Sequence, residues 1–170
     1  MLWQYLLTAL SAILFFGFVI IGVRKFGLLS CYSAYAAKWA PQRESQLNPW
    51  QLVTIVSAFL LVPVLLEGAE GSIYQCFGFL APAFLTMVGA SPKYETDRFQ
   101  WWIHQIGAWG TVLFVVCYSI IFGLWWLILI VFLIGMVIAW KTGFKEYWMF
   151  WGEMAMYLGT YILIFTIIAK

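Results

Sequence analysis

Of the Asp, Glu, His, Lys and Arg residues in this sequence, only His104 and Glu153 fall deep inside long apolar runs. Counted by helical rise from the nearest charged loop, each lies roughly 8 to 10 Å into its run, so the two share a depth. An acid at the centre of a bilayer costs about 2.5–3.5 kcal/mol on insertion scales, less nearer the headgroups, so it needs a partner or a role. Two chemistries follow. His104 and Glu153 pair to handle a proton or grip a polar substrate, or Glu153 is protonated or hydrogen-bonded and ties two helices together.

The remaining charges suggest less. Glu67 and Glu70 form an acidic rim at the opposite end, where Glu67 at a helix carboxyl end opposes the macrodipole. A partner such as Lys170, a cation or another subunit would explain that placement, and so would a solvated rim. Lys93, Glu95, Asp97 and Arg98 alternate in sign along one charged loop, as topology determinants that pair with one another, the basic members also meeting anionic lipid headgroups. One histidine cannot supply paired axial imidazoles to a haem, and there is no HExxH, Walker A or Ser/His/Asp set. No lysine lies within an apolar run to form a Schiff base. Acid–base chemistry by His104 and Glu153 is the one enzymatic reading left open. Cys31, Cys76 and Cys117 are dispersed, which suggests free thiols, with Cys76 and Cys117 the one pair placed for a bridge. No catalytic residue, metal, cofactor or nucleic-acid partner is expected.

The elements that must position these groups are hydrophobic helices. Of 170 residues, 65% are hydrophobic and 9% charged, against a soluble norm near 25% charged. The apolar runs are each long enough to cross a hydrocarbon core of roughly 30 Å, and none shows the alternation of a barrel strand. The expectation is a single all-α membrane domain, a bundle of six transmembrane helices at about 3–23, 50–66, 73–90, 99–122, 124–140 and 147–169, with inner loops 24–49, 91–98 and 141–146. The first run lacks a basic leader and a cleavage site, so it is expected to stay as a helix. Residues 28–39 read equally as a short interfacial helix stopped by Pro41 or as a plain loop.

Small and polar residues recur at helical spacing in most of the runs: Thr8, Ser11 and Ala12; Thr54, Ser57 and Ala58; Gln75, Gly78, Pro82, Thr86 and Gly89; His104, Gly107, Ala108 and Thr111; Gly152, Glu153, Met156, Gly159 and Thr160. Such stripes mark packing faces in membrane helices. The fifth run has only Gly135 and is expected to face lipid most fully. With the amino terminus outside, Arg24, Lys25, Lys38, Arg43, Lys93, Arg98, Lys141 and Lys145 all lie inside, leaving only Lys170 outside. Both termini are therefore expected on the outer side of a bacterial-type inner (plasma) membrane. Residues 99–110 and 148–159 also align without a gap, superposing His104 on Glu153, as a parallel repeat or two aromatic-rich helix starts would.

The run MVGASP at 87–92, the short charged loop, and His104 followed by Gly107 and Ala108 resemble the junction between helices three and four of the DRAM and Sfk-type six-helix membrane proteins and their bacterial relatives. That resemblance covers about 25 residues and implies a small non-enzymatic membrane protein with no catalytic residues to carry over. The functional expectation is a polytopic protein acting through helix and lipid contacts or as a membrane assembly component, alone, as a homo-oligomer or with a membrane protein partner. The alternative is a small transporter or channel component with a polar or proton-handling site formed by His104 and Glu153.

Overall fold

The computed structural model describes residues 2–39 and 48–170, and among them every regular element is a helix. Helix α1, Leu2–Phe26, buries Gln4, Thr8, Ser11, Phe15 and Gly22 and leaves Leu2, Leu6, Leu10, Ile13, Ile20 and Ile21 exposed. The more polar stripe faces inward, the reverse of a water-soluble amphipathic helix. Arg24 and Lys25 occupy its last turn, where cations complement the helix dipole.

Beyond α1 the chain does not run along the surface of the bundle. A single 3-10 turn, Tyr32–Ala34, leads into α2, Tyr35–Lys38, and Tyr32, Tyr35 and Ala36 are almost completely buried. The Tyr35 ring packs against Gly22 of α1, and its hydroxyl donates to the Gly27 carbonyl at 2.7 Å. Pro41, Arg43 and Glu44 lie outside the described residues.

Helix α3, Pro49–Gly68, starts where Asn48 caps it, the Asn48 side-chain oxygen accepting from the Trp50 N–H at 2.9 Å with Pro49 in the first turn. Asn48 also donates from Nδ2 to the Ala36 carbonyl at 2.7 Å, tying α2 to α3. Helix α4, Gln75–Gly89, is shorter, and α5, Arg98–Ile121, begins at Asp97. Gly107 lets α5 lie directly on α4: a Cβ there would come within 2.8 Å of the Phe84 carbonyl oxygen and 2.9 Å of the Val88 nitrogen.

Helix α6, Trp125–Ile168, is not one straight rod but two helical limbs that meet at Gly143, within the charged stretch 141–146. Gly143 sits at φ 121, ψ 80, a conformation that L side chains rarely adopt, and the chain reverses there. The limbs 125–142 and 144–168 lie antiparallel, with Gly135 against Trp151 and Ala155, Gly159 against Ile128 and Val131, and the Trp151 indole donating to Thr142 Oγ1 at 2.9 Å. The second limb is central, burying Phe150, Met154, Tyr161, Leu163 and Ile164, whereas the first exposes Leu129, Ile130, Leu133, Ile134 and Val137. Helices α1, α3, α5 and α6 are each long and apolar enough to cross a membrane, and α4 is a shorter apolar helix.

Candidate functional site

Segment 30–36 is the hub of the polar interior. Its entry is fixed by the second limb of α6, where the Phe150 N–H donates to the Ser30 carbonyl at 3.0 Å. One helical turn on, Glu153 Oε2 accepts from the Tyr32 N–H at 2.5 Å. The Tyr32 side chain crosses to α3, where Thr54 Oγ1 spends its own proton on the Trp50 carbonyl at 2.8 Å, so the Tyr32 hydroxyl donates to Thr54 at 2.9 Å.

Glu153 is held by only one of its oxygens. The residue lines a cavity of about 110 Å³ between α4, α5 and the second limb of α6, together with Tyr32, Ser33, Thr111, Tyr157 and Thr160 and apolar residues including Leu85 and Val115. Thr111 and Thr160 each donate to the carbonyl four residues earlier, at 2.8 Å, so their oxygens are left as acceptors. The Tyr157 hydroxyl has no hydrogen-bond partner among the described residues. Two smaller voids, about 40 and 10 Å³, continue toward Tyr161 and Tyr118, and all three share Val115 and Thr160. Alongside them, the Tyr161 hydroxyl donates to Ser11 Oγ at 2.8 Å while Ser11 donates to the Ser57 carbonyl, also at 2.8 Å.

His104 has the opposite surroundings. Its ring lies flat against Tyr94, with centroids 4.1 Å apart and planes 16° apart, and Trp50 lies on a nearly parallel plane at 6.4 Å. Ser91 donates to the carbonyls of Val88 and Met87 at 2.9 and 3.0 Å, so it can only accept from His104 Nδ1–H, at 3.3 Å. Nε2 is then an acceptor, and Ser33 donates to it at 3.0 Å. This assignment makes the ring neutral, protonated on Nδ1, with both nitrogens engaged.

His104 and Glu153 thus hold adjacent residues, Ser33 and Tyr32, of one segment, and no hydrogen bond or ion pair joins them to each other. Glu67 and Glu70 are exposed at the far end, and Lys170 is also exposed, with no ion pair joining it to either. In the charged loop, Asp97 caps α5 through the N–H groups of Phe99 and Gln100 at 2.8 and 3.1 Å. Glu95 accepts from the Tyr94 hydroxyl at 3.1 Å, the Lys93 N–H donates to Gln100 Oε1 at 2.9 Å, and Arg98 is exposed in the first turn of α5. Tyr94 is thereby oriented against His104, and burial, with Cys31 and Glu95 nearby, raises its phenol above the ordinary range. Burial raises the Cys31 thiol as well, with the Glu153 charge as the next cause. Cys31, Cys76 and Cys117 are free thiols.

Five residues of this arrangement were not singled out from the sequence: Tyr32, Ser33, Ser91, Tyr94 and Tyr157. The signal for the first two is composition, since 28–39 is rich in Ser, Tyr and Ala in an otherwise aliphatic chain. Ser91 stands inside MVGASP, where a hydroxyl one turn past the last helical carbonyls can both donate to them and face the next helix. Comparison of the chain with protein-family models, with curated proteins and with solved structures finds no match.

Proposed function

We propose that this chain is an integral membrane protein of a bacterial-type inner membrane, crossing six times through α1, α3, α4, α5 and the two limbs of α6, with both termini outside. The inverted polarity of α1 and the apolar outer face of the first α6 limb support the bilayer, and the basic residues gathered toward one side support the orientation. Within it, Glu153 is the functional group of a small transporter or channel component, binding a proton or a small cationic solute.

The observation that carries this reading is the half-satisfied carboxyl of Glu153 on a cavity between helices, beside a tyrosine hydroxyl with no partner among the described residues. A buried acid whose only role was to tie helices would engage both oxygens. At about 110 Å³ the cavity has room for a few waters, so the ligand is small. His104 enters as the residue that seats segment 30–36, not as a proton carrier.

The test is flux in liposomes of defined lipid, with a pH-sensitive dye inside and an imposed proton, sodium or ammonium gradient. Wild-type protein is expected to accelerate dissipation of at least one gradient, and Glu153→Gln, which still accepts from the Tyr32 N–H, to lose that activity while keeping its unfolding temperature. Flux equal to that of protein-free liposomes, or undiminished in Glu153→Gln, would overturn it. The second reading, a membrane assembly component, draws on the broad apolar faces of α5 at Ile106, Trp109 and Leu113, and predicts co-purifying chains instead of flux.

A further inference from the structure

A large concavity lies on the outside of the bundle, away from Glu153. Helix α1 and the first limb of α6 are held apart by the second limb, leaving a groove of about 620 Å³ whose walls include Phe16, Val19, Val131 and Ile134, with Met154 and Leu158 at its base. That volume lies within the roughly 300–1,000 Å³ of small-molecule sites. One charged residue stands among those lining the groove: Arg24, exposed at its loop end and without a side-chain partner among the described residues. Its neighbour Lys25 is occupied, the ammonium lying 4.3 Å from the Trp39 ring centroid and 5.1 Å from that of Phe26. Lys141 stands one turn beyond the groove residue Ile138 on the first α6 limb, toward the same end.

An apolar channel with a cation at its mouth matches one ligand chemistry. From Phe16 to Arg24 the groove follows α1 for about 12 Å by helical rise, comparable with the roughly 15 Å depth of one bilayer leaflet. An acyl chain fits the apolar walls, and Arg24, with its planar fork of donors, fits a phosphate at the level of the inner headgroups. The geometry points to a specific site for one anionic glycerophospholipid of the inner leaflet, its chain in the α1/α6 groove and its phosphate on Arg24. The inference rests on the membrane embedding proposed above but not on the Glu153 site.

The test uses the full-length protein in nanodiscs of equal parts phosphatidylglycerol and phosphatidylcholine, extracted in mild detergent, with retained lipids counted by native mass spectrometry. One phosphatidylglycerol is expected per chain, favoured about fivefold over phosphatidylcholine, the selectivity of one basic residue at an anionic surface. Arg24→Gln removes the preference, Arg24→Lys keeps most of it, and Ile134→Trp, which fills the groove from an exposed position, lowers retention of both lipids several-fold. Equal retention of the two lipids by wild type, an unchanged preference in Arg24→Gln at unchanged unfolding temperature, or a second chain retained in place of lipid would overturn the site and leave the embedding intact. Recovery of the chain without detergent in the soluble fraction would remove the bilayer itself, and the site with it.

Discussion

His104 and Glu153 reach the same segment, 30–36, from different helices, and their surroundings differ in kind. His104 has both ring nitrogens engaged by serines and its faces covered by Tyr94 and Trp50. Glu153 has one oxygen on a backbone amide and a cavity beside the rest of its carboxyl. A saturated polar group rigidifies its surroundings and has no capacity left for a ligand, whereas a half-satisfied one is costly unless something else completes it. Depth in the sequence marks both residues alike. The number of unfilled hydrogen-bonding positions separates a structural group from one available for binding.

Substitutions can break this contrast, and the largest effect is expected at the histidine. His104→Ala strands the Ser33 hydroxyl, whose acceptor it removes, and opens a void between two aromatic rings, so it should cost about 2–4 kcal/mol of unfolding free energy in lipid-like micelles. Glu153→Gln should stay within about 1 kcal/mol, since the amide oxygen still accepts from Tyr32. Equal losses at the two sites would erase the distinction. A second comparison uses the nearest glycines. Gly107→Ala drives a methyl into the backbone of α4, one turn from His104, and should cost about 1–3 kcal/mol, with loss of the packing that seats the ring. Gly152→Ala meets the flexible Met136 tip at 3.3 Å and the Phe132 ring at an ordinary 3.6 Å, and should be within about 0.5 kcal/mol of wild type.

Smaller effects sharpen the same contrast. A double-mutant cycle of Ser33→Ala with His104→Ala should give a coupling of about 0.6–1.7 kcal/mol, the range of polar pairs in a membrane protein. The cycle of His104→Ala with Glu153→Gln should fall below about 0.5 kcal/mol, because no bond joins the two side chains. Coupling in the second cycle as large as in the first would argue for a shared proton. The smallest expected effect is chemical. Burial and the Glu153 charge hold the Cys31 thiol above its ordinary range, which depletes the reactive thiolate at any pH below that value. Removing the charge in Glu153→Gln should lower the Cys31 value and speed its alkylation at pH 8 by about two- to threefold, with Cys76, exposed in the same chain, as the internal reference.

Much of the architecture is legible because burial in this chain follows composition. Thr8 and Ser11, Thr54 and Ser57, and Gly152 and Gly159 all lie on the buried sides of their helices, where the small and polar spacing put them. Segment 28–39 was not legible. Its mixture of small, aromatic and hydroxyl residues suits an interface or a loop as well as an interior, and only partners 71 and 121 residues away decide between them. For the same reason His104 and Glu153 look like a pair from the sequence, since equal depth and facing helices are local properties, while the intervening Tyr32 and Ser33 come from the far end of the chain. The charged stretch 141–146 reads as a loop between two apolar runs, but that Gly143 turns the chain there was not legible, because its backbone angle has no composition signature.

The bond between Tyr32 and Glu153 spans 121 residues and joins segment 30–36 to the second limb of α6. At roughly 5–20 residues per second, the ribosome takes about 6 to 24 s to supply the acid after the amide has emerged. Segment 30–36 therefore begins its life with its tyrosine amide and Ser30 carbonyl unclaimed by α6, and His104 reaches it before Glu153 does. The cavity beside Glu153 therefore waits for the second limb of α6, and a chain stopped before that limb would lack it.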